Sequence, residues 1–405
     1  MTLLDELSKK EVWLSFHAYK KERNQLTVRE DRQLKVFIEQ ERYLKITAFF
    51  SFDYPVKKII SKMNSSKKRT VYCYSEDETW VLKLLAFLLY RYDDKIADNC
   101  YSFRQNITAR TAFDDIRKIE DLDNLLVLKL DIHDYFNSID TDILHEILDA
   151  IINDDEPLLN FMSQLIRQDK CYFHNELISE KRGAMAGVPI ASFLANIYLK
   201  DLDEYFLYNG IPYFRYSDDI IMFFKDEKER DSVYRDIITQ LKDKKLELNI
   251  QKLKFYHQHD KWEYLGFCYH DGSIDLSDAT VQKMKDKIRR KAHSLYRWRK
   301  HKNADYDLTA VKMIRSFDYK FYDLNGNNEF TWTRFYFPVI TKTDGLKEVD
   351  AYMVKYLRYL YSGRHYKGNY AITYDHLKKL GYTSLVNEYY HWKKDSYDLL
   401  RSQLS

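Results

Sequence analysis

Residues 213–224 read Tyr-Phe-Arg-Tyr-Ser-Asp-Asp-Ile-Ile-Met-Phe-Phe. Apolar and aromatic residues run up to Ser217-Asp218-Asp219 and away from it again. Asp and Ser favour tight turns because their side chains bond nearby backbone groups. The pattern predicts a β-hairpin with two carboxylates at its tip and strands with buried faces. Adjacent anions on a half-buried element need a compensating cation. Metal binding is therefore the first reading, provided a third carboxylate lies on a neighbouring strand.

Asp131 meets that condition. It ends the run Leu125-Leu126-Val127-Leu128-Lys129-Leu130-Asp131-Ile132, nearly continuous in apolar residues and so expected as a buried central strand. An unpaired carboxylate there is costly. Asp131 is not needed as a helix cap, because Thr141 is the better placed N-cap for the helix beginning at Ile143. Three carboxylates at close quarters repel one another and raise at least one pKa. Two divalent cations would neutralise Asp131, Asp218 and Asp219. Oxygen-only ligation favours Mg²⁺, with Mn²⁺ as a substitute, its shell completed by water and substrate phosphates. Such a site does phosphoryl transfer, which asks for positioning and positive charge. Lys67, Lys68 and Arg69, in a basic turn before a β-prone run, are placed to hold a triphosphate.

A second feature lies downstream. From Ser277 a two-faced helix is expected, with Val281, Met284, Ile288, Ala292 and Leu295 along one side. Residues 281–302 hold ten Lys or Arg and one acid, Asp286, an excess of 10 − 1 = 9 positive charges. A solvated face usually mixes signs. This one reads as a phosphate-tracking helix, with Lys283, Lys287, Arg290, Lys291, Arg297 and Trp298 as nucleic-acid contacts.

Composition narrows the rest. With 10 Gly and 5 Pro in 405 residues, long helices should dominate. The 35 Tyr, 23 Phe and 6 Trp are read either as a compositional bias or as rings available to stack on bases. Cys73, Cys100, Cys171 and Cys268 form no C-x-x-C pair, which argues against zinc and for a reducing compartment. The first residues lack a signal-peptide pattern, and no apolar run is long enough to span a bilayer. A soluble, cytoplasmic protein with no membrane partner is expected. Walker A, dinucleotide-binding and H-E-x-x-H patterns are absent. His257, His259 and the Asp93-Asp94 pair are read as surface groups. The aromatic patch from Phe330 to Phe337 carries no assignment.

Several of these stretches also resemble known sequence boxes. Phe214-Arg215-Tyr216-Ser217-Asp218-Asp219 resembles the F-x-R-Y-A-D-D box of reverse transcriptases. The run from Leu128 to Ile139 resembles their first catalytic motif, and that from Gly187 to Leu199 the intervening loop and helix. Leu248-Asn249-Ile250-Gln251-Lys252 and Tyr264-Leu265-Gly266-Phe267 resemble the later boxes. Tyr101-Ser102-Phe103-Arg104 is similar to a segment of the group II intron-type enzymes. The boxes follow in family order over roughly residues 65–270.

The resemblance implies an α+β right-hand polymerase. An N-terminal helical extension spans 1–60 and fingers and palm span 61–275, with an antiparallel sheet on helices. A helical thumb (276–320) and a C-terminal helical extension (321–405) follow. By position, Asp131, Ile132, Asp218 and Asp219 make the metal site, with Asp219 less directly bound. Lys68, Arg69, Phe136, Pro189, Ile190 and Lys252 make the nucleotide pocket, Phe136 acting as the steric gate against a ribose 2′-OH. Tyr264, Leu265 and Gly266 make the primer grip. The implied activity is RNA-directed DNA synthesis from dNTPs.

One departure is informative. The family usually has Gln, often followed by Gly, after the loop proline; this chain has Ile190 and Ala191. That change, and the C-terminal run through Leu380-Gly381-Tyr382 and Leu385-Val386-Asn387-Glu388-Tyr389-Tyr390, resemble bacterial defence-associated reverse transcriptases, the second class above all. A noncoding RNA copied into DNA in antiphage defence is the implied role. Template-independent or protein-primed DNA synthesis, as in abortive-infection enzymes, and a non-catalytic RNA-binding scaffold are the competing readings. Oligomeric state is left open.

Overall fold

The computed structural model describes residues 2–61, 68–322 and 331–404, so Lys67 and Phe330 lie outside the described residues. The chain forms two compact units, residues 1–116 with 124–258, and residues 117–123 with 259–405. Among the described residues no helix is long and apolar enough to cross a membrane.

The first unit begins with a short helix Leu3–Glu6, followed by helices Lys10–Glu22 and Val28–Glu39. Thr27 and Glu30 cap the last of these reciprocally, as Ser75 and Glu78 cap Glu76–Leu88. Two four-stranded sheets follow. One comprises β1 (Val56–Ser61) and β2 (Lys68–Cys73), and the other is built around β3 (Leu126–Asp131). β4 (Lys170–Phe173) and β5 (Glu176–Ser179) complete the first, in the order β2-β1-β4-β5. β6 (Tyr213–Tyr216), β7 (Asp219–Phe224) and β8 (Lys254–Tyr256) complete the second, in the order β6-β7-β3-β8.

The second sheet positions the acids. β3 and β7 pair antiparallel from Leu126 opposite Phe224 to Asp131 opposite Asp219. Their apolar residues are almost wholly buried, as two-sided covering demands. Helix Glu227–Asp243 packs on both strands. The helix expected after Ile190 breaks at Leu199 into Ala191–Tyr198 and Lys200–Tyr208. At helix Thr141–Ile151 the cap is Asp140, not Thr141: its carboxylate accepts from the N–H groups of Asp142 and Ile143 at 3.1 and 3.2 Å. Asp131 is not a cap in either case.

The second unit starts with a three-stranded meander, β9 (Trp262–Tyr264), β10 (Phe267–His270) and β11 (Ser273–Leu276). Leu265 and Gly266, both at positive φ, turn β9 into β10. Ser277 caps helix Asp278–Lys302. Val281, Met284, Ile288, Ala292 and Leu295 are all buried, and this helix packs on Asp344–Ser362. Gly363 ends the latter at φ +75, and a Cβ there would lie 2.1 Å from the Tyr296 ring. Residues 259–276 are tied into this unit by their bonds. Asp123 accepts from Tyr269 Oη at 2.7 Å and from the Gly272 N–H at 3.1 Å. Ile274 exchanges hydrogen bonds with Thr341.

Candidate active site

The β6–β7 register sets Tyr216 opposite Asp219 and leaves Ser217 and Asp218 as a two-residue turn. Ser217 takes φ +62, a left-handed conformation that costs a non-glycine residue about 1 kcal/mol. A buried polar frame holds it. The Ser217 N–H donates to Ser102 Oγ at 2.9 Å, and Ser102 Oγ donates to Asn196 Oδ1 at 2.8 Å. Asn196 Nδ2 returns a bond to the Ser102 carbonyl at 2.5 Å. Beneath the turn the Arg215 guanidinium is bidentate on Asp203 and also donates to the carbonyls of Ser217 and Asn196 at 3.2 and 3.1 Å. Tyr213 Oη donates to Asp203 at 2.8 Å. Asp203 and Asn196 escaped the sequence reading. The signal was present: they lie seven residues apart, on the otherwise apolar face that Leu202 and Phe206 continue.

Three acids meet beside this turn. Directly opposed residues in an antiparallel pair share a sheet face, so Asp131 and Asp219 are neighbours. The Ile132 N–H donates to the Asp218 carbonyl at 3.1 Å, stitching the turn to the strand end. Asp131 Oδ1 accepts from Asn249 Nδ2 at 3.0 Å, and Oδ2 is ion-paired with Lys252 Nζ. Asp219 lies 3.5 Å from Lys129 Nζ. Burial pushes the Asp219 carboxyl up to about 6; Lys129 opposes this, while Asp218 and Asp131 add to it. Burial, then the charge of Asp131, raises Asp218, against the pull of Lys252 and Arg69. Three cations, Lys129, Lys252 and Arg69, act on the three acids, and burial still raises Asp218 and Asp219.

This crowding of buried acids bears on metal binding. Among the described residues no group of three or more His, Cys, Asp or Glu has the arrangement to hold a metal ion. Asp219 lies 3.5 Å from Lys129 Nζ, and Asp131 is likewise ion-paired, with Lys252. Asp131, Asp218 and Asp219 are hard-oxygen donors held close enough to repel. One or two carboxylates, with water and substrate phosphates, are what Mg²⁺ ordinarily takes. The residues fit a divalent oxygen-seeking cation that arrives with its substrate.

The residues expected around a nucleotide are mostly gathered here. Arg69 is exposed on β2, its guanidinium 5.9 Å from the centre of the Phe136 ring. Lys68 is exposed beside it. Phe136 is half-buried, edge-on to Phe103 at 6.3 Å. The loop 183–187 binds β2 through the Tyr72 N–H, which donates to the Ala186 carbonyl at 2.8 Å. Gly183 is required, since a Cβ would lie 2.4 Å from the Phe136 carbonyl oxygen. Pro189 lines a cavity of about 260 Å³ with Lys20, Trp80, Lys83, Tyr90 and Phe103. Ile190 differs from its expectation: its side chain has no exposed surface and belongs to the core. An apolar residue in the loop packs inward where a polar one would face solvent.

In the second unit Tyr264 is buried, and Leu265 and Gly266 form the turn already described. Along helix Asp278–Lys302, Lys283, Arg290, Lys291 and Arg297 are exposed, and Lys287 and Trp298 half-buried. Burial, then Lys287, Lys291 and Arg290, lowers the pKa of Lys320 on the helix Tyr306–Phe321, so these cations form one crowded positive face. Not all ten basic residues join it. Lys285 pairs with Glu348, Arg289 with Asp286 at 3.0 Å, and Arg299 is buried with its guanidinium 4.1 Å from the Tyr306 ring centre.

Comparison with known proteins adds a family. The model of a family described as reverse transcriptase (RNA-dependent DNA polymerase) matches residues 60–269 of the 405. No curated protein matches the chain. Among solved structures, an apo telomerase from Candida tropicalis truncated from its C-terminal domain is similar with a TM-score of 0.46 and 13% identity, over 56% of this chain and 55% of that one. A Candida albicans telomerase in complex with a fragment of telomeric RNA gives 0.43 and 13%, over 88% and 70%. A Candida tropicalis telomerase with such a fragment gives 0.47 and 11%, over 85% and 67%. This chain thus spans about half the length of the first of these.

Proposed function

The chain belongs to the reverse transcriptase (RNA-dependent DNA polymerase) family, and on that premise we propose that it copies a noncoding partner RNA into DNA from dNTPs, as part of antiphage defence. The observation that carries the polymerase reading is the meeting of Asp131 with the Asp218-Asp219 turn, in register at the end of a buried sheet. Asp131 and Asp218 would hold divalent cations, two Mg²⁺ ions in the full reaction. When bound, these supply charge neutralisation and an activated primer hydroxyl.

The protein's own groups do the rest. Arg69, with Lys68 beside it, binds the triphosphate. The Phe136 ring beneath Arg69 lies against the sugar and excludes a 2′-hydroxyl. Lys252 holds the charge of Asp131 before substrate binds, and its ammonium is then available to the leaving phosphates. Asn249 Nδ2 keeps the Asp131 carboxylate oriented, and the Asn249 N–H holds the Asp131 main-chain carbonyl. The defence role and the partner RNA rest on the resemblance of the loop residues Ile190 and Ala191 and of the C-terminal sequence.

The test uses the full-length chain with Mg²⁺, dNTPs and a DNA primer annealed to RNA. It should extend the primer, and Asp218→Ala or Asp131→Ala should reduce extension to background. Equal extension by wild type and both variants rejects the site. Sequencing of RNA and DNA that co-purify with the protein tests the partner, and plaque counts on cells carrying wild type or Asp218→Ala test the defence role. The buried, apolar Ile190 favours one second reading, synthesis without a template. Homopolymer product that ignores the template sequence would establish it instead.

A further inference from the structure

The C-terminal part of the second unit contains a cavity of about 700 Å³, whose lining includes Tyr382 of the C-terminal run named above. Helix Asp344–Ser362, the short turn Lys367–Ala371 and helix Tyr374–Lys379 enclose it. Its walls carry Tyr366, Tyr370, Tyr374 and Tyr382 together with Lys355 and Arg358. Two of the rings are presented to solvent: Tyr366 is 49% exposed and Tyr370 is 70% exposed. What sets these two apart from other exposed rings is that both line one cavity.

The charge around them is positive. Asp350 is the one acid among the lining residues, and it is already engaged. Its two oxygens accept from Tyr382 Oη, Ser384 Oγ and the N–H groups of Leu385 and Val386, at 2.6–3.1 Å. The Arg358 guanidinium lies 4.9 Å from the Tyr370 ring centre, and Arg364 lies 4.8 Å from that of Tyr366. Burial, then the charges of Lys355 and His293, holds the His365 imidazole below its usual value. The walls are also set in place. Arg358 Nε donates to the Ile372 carbonyl at 2.9 Å, and Asn369 Nδ2 to the Arg364 carbonyl at 2.8 Å. A Cβ on Gly368 would lie 2.3 Å from the Tyr366 ring, so only glycine lets that ring fold over the turn.

Aromatic faces beside cations, in a groove wider than one side chain, are what unpaired bases and their phosphates require. We propose that this cavity is a second nucleic-acid site, in which Tyr366 and Tyr370 stack an unpaired base of a single strand while Lys355 and Arg358 take its phosphate. The site shares no residue with the palm, and the proposal does not depend on the chain being an active polymerase. Base and phosphate are common to RNA and DNA, so the strand is identified by experiment.

The full-length chain is titrated with fluorescently labelled single-stranded RNA or DNA of one sequence. No dNTPs are present, and excess unlabelled primer–template duplex fills the polymerase channel. Tyr366→Ala and Tyr370→Ala alter exposed rings and should leave the melting temperature unchanged. Each should weaken binding by roughly tenfold, and Tyr370→Trp should restore it. Ultraviolet crosslinks should fall in the peptide containing residues 366–370. A stronger effect with RNA than with DNA identifies the strand as RNA, and the reverse identifies DNA. Unchanged binding by the doubly substituted, folded protein overturns the proposal. So does complete loss of wild-type binding when the duplex is added. Loss of polymerisation in Asp218→Ala bears on the palm alone and leaves these results unaffected.

Discussion

Arg215 and Asp203 form an ion pair in which neither side chain has any exposed surface. The pair is bidentate, and its spare donors reach the carbonyls of Ser217 and Asn196. It fixes the height and orientation of the turn that carries Asp218. Removing one partner of such a pair leaves a bare charge in the core, at a cost of about 3 to 5 kcal/mol. Asp203→Ala should therefore destabilise the first unit by that order, with Arg215→Ala comparable. Urea unfolding followed by tryptophan fluorescence checks it. A loss under about 1 kcal/mol would mean the pair is solvated in solution.

Ser102 acts on the same turn more gently. Its hydroxyl accepts from the Ser217 N–H and donates to Asn196. Ser102→Ala strands two buried groups, the Ser217 N–H and Asn196 Oδ1, at a cost of about 1 to 3 kcal/mol for each. Because the first of these is in the turn itself, kcat should fall while KM for dNTP changes little. Steady-state extension kinetics separate the two. An equal fall in kcat and rise in KM would place Ser102 at the nucleotide instead.

Much of this site was legible in the sequence. The strand ending in Asp131 and the hairpin carrying Asp218 stand out because apolar runs stop abruptly at acids. The helix from Ser277 was legible because its buried positions keep a strict helical spacing. What escaped depends on partners distant in the chain. Asn196 and Asp203 look like lapses in an apolar helix until Ser102 and Arg215 are brought to them. The break at Leu199 and the turn at Leu265 leave no mark, since leucine suits helices and strands equally. The taming of Asp219 by Lys129 needs the β3–β7 register.

The raised Asp218 carboxyl has a consequence for stability. A group whose folded pKa lies above its usual 3.8 favours folding fully below that value. The contribution is lost as pH rises through the folded pKa, and above it the cost is constant. Asp218→Asn removes both the burial of charge and the repulsion by Asp131. In EDTA at pH 7.5 the variant should melt higher than wild type, by on the order of a few degrees. The difference should shrink towards pH 4, and added Mg²⁺ should stabilise only the wild type. Calorimetry across that range checks it. A variant less stable than wild type at pH 7.5 would mean Asp218 is well compensated without metal.

Phe136 sits under Arg69 and against Phe103, so its ring is backed and cannot easily yield to a bulkier sugar. Phe136→Ala should let ribonucleotides in. The ratio of kcat/KM for a dNTP over the matching NTP should fall by at least about tenfold. The alanine also opens space against Phe103, so Phe136→Leu is the control, keeping most of the bulk and most of the discrimination. Unchanged ratios in both variants would put the gate elsewhere.

The crowded cations of helix Asp278–Lys302 make a salt-dependent prediction. Lys287, Arg290 and Lys291 fall within about one turn of the helix, and their charges make one field that bears on Lys320. Phosphates entering that field release counterions, so log Kd should rise linearly with log salt. Replacing those three by Gln should reduce the slope for duplex binding by roughly 3, at about 0.9 for each phosphate no longer neutralised. Replacing Lys285, Arg289 and Arg299, which pair or bury within the unit, should leave the slope nearly unchanged and lower the melting temperature instead. Anisotropy titrations across a range of salt concentrations measure the slopes, and thermal melts the stability. Equal slopes for the two triple variants would show that the sorting of inward from outward cations along this helix does not govern its grip on nucleic acid.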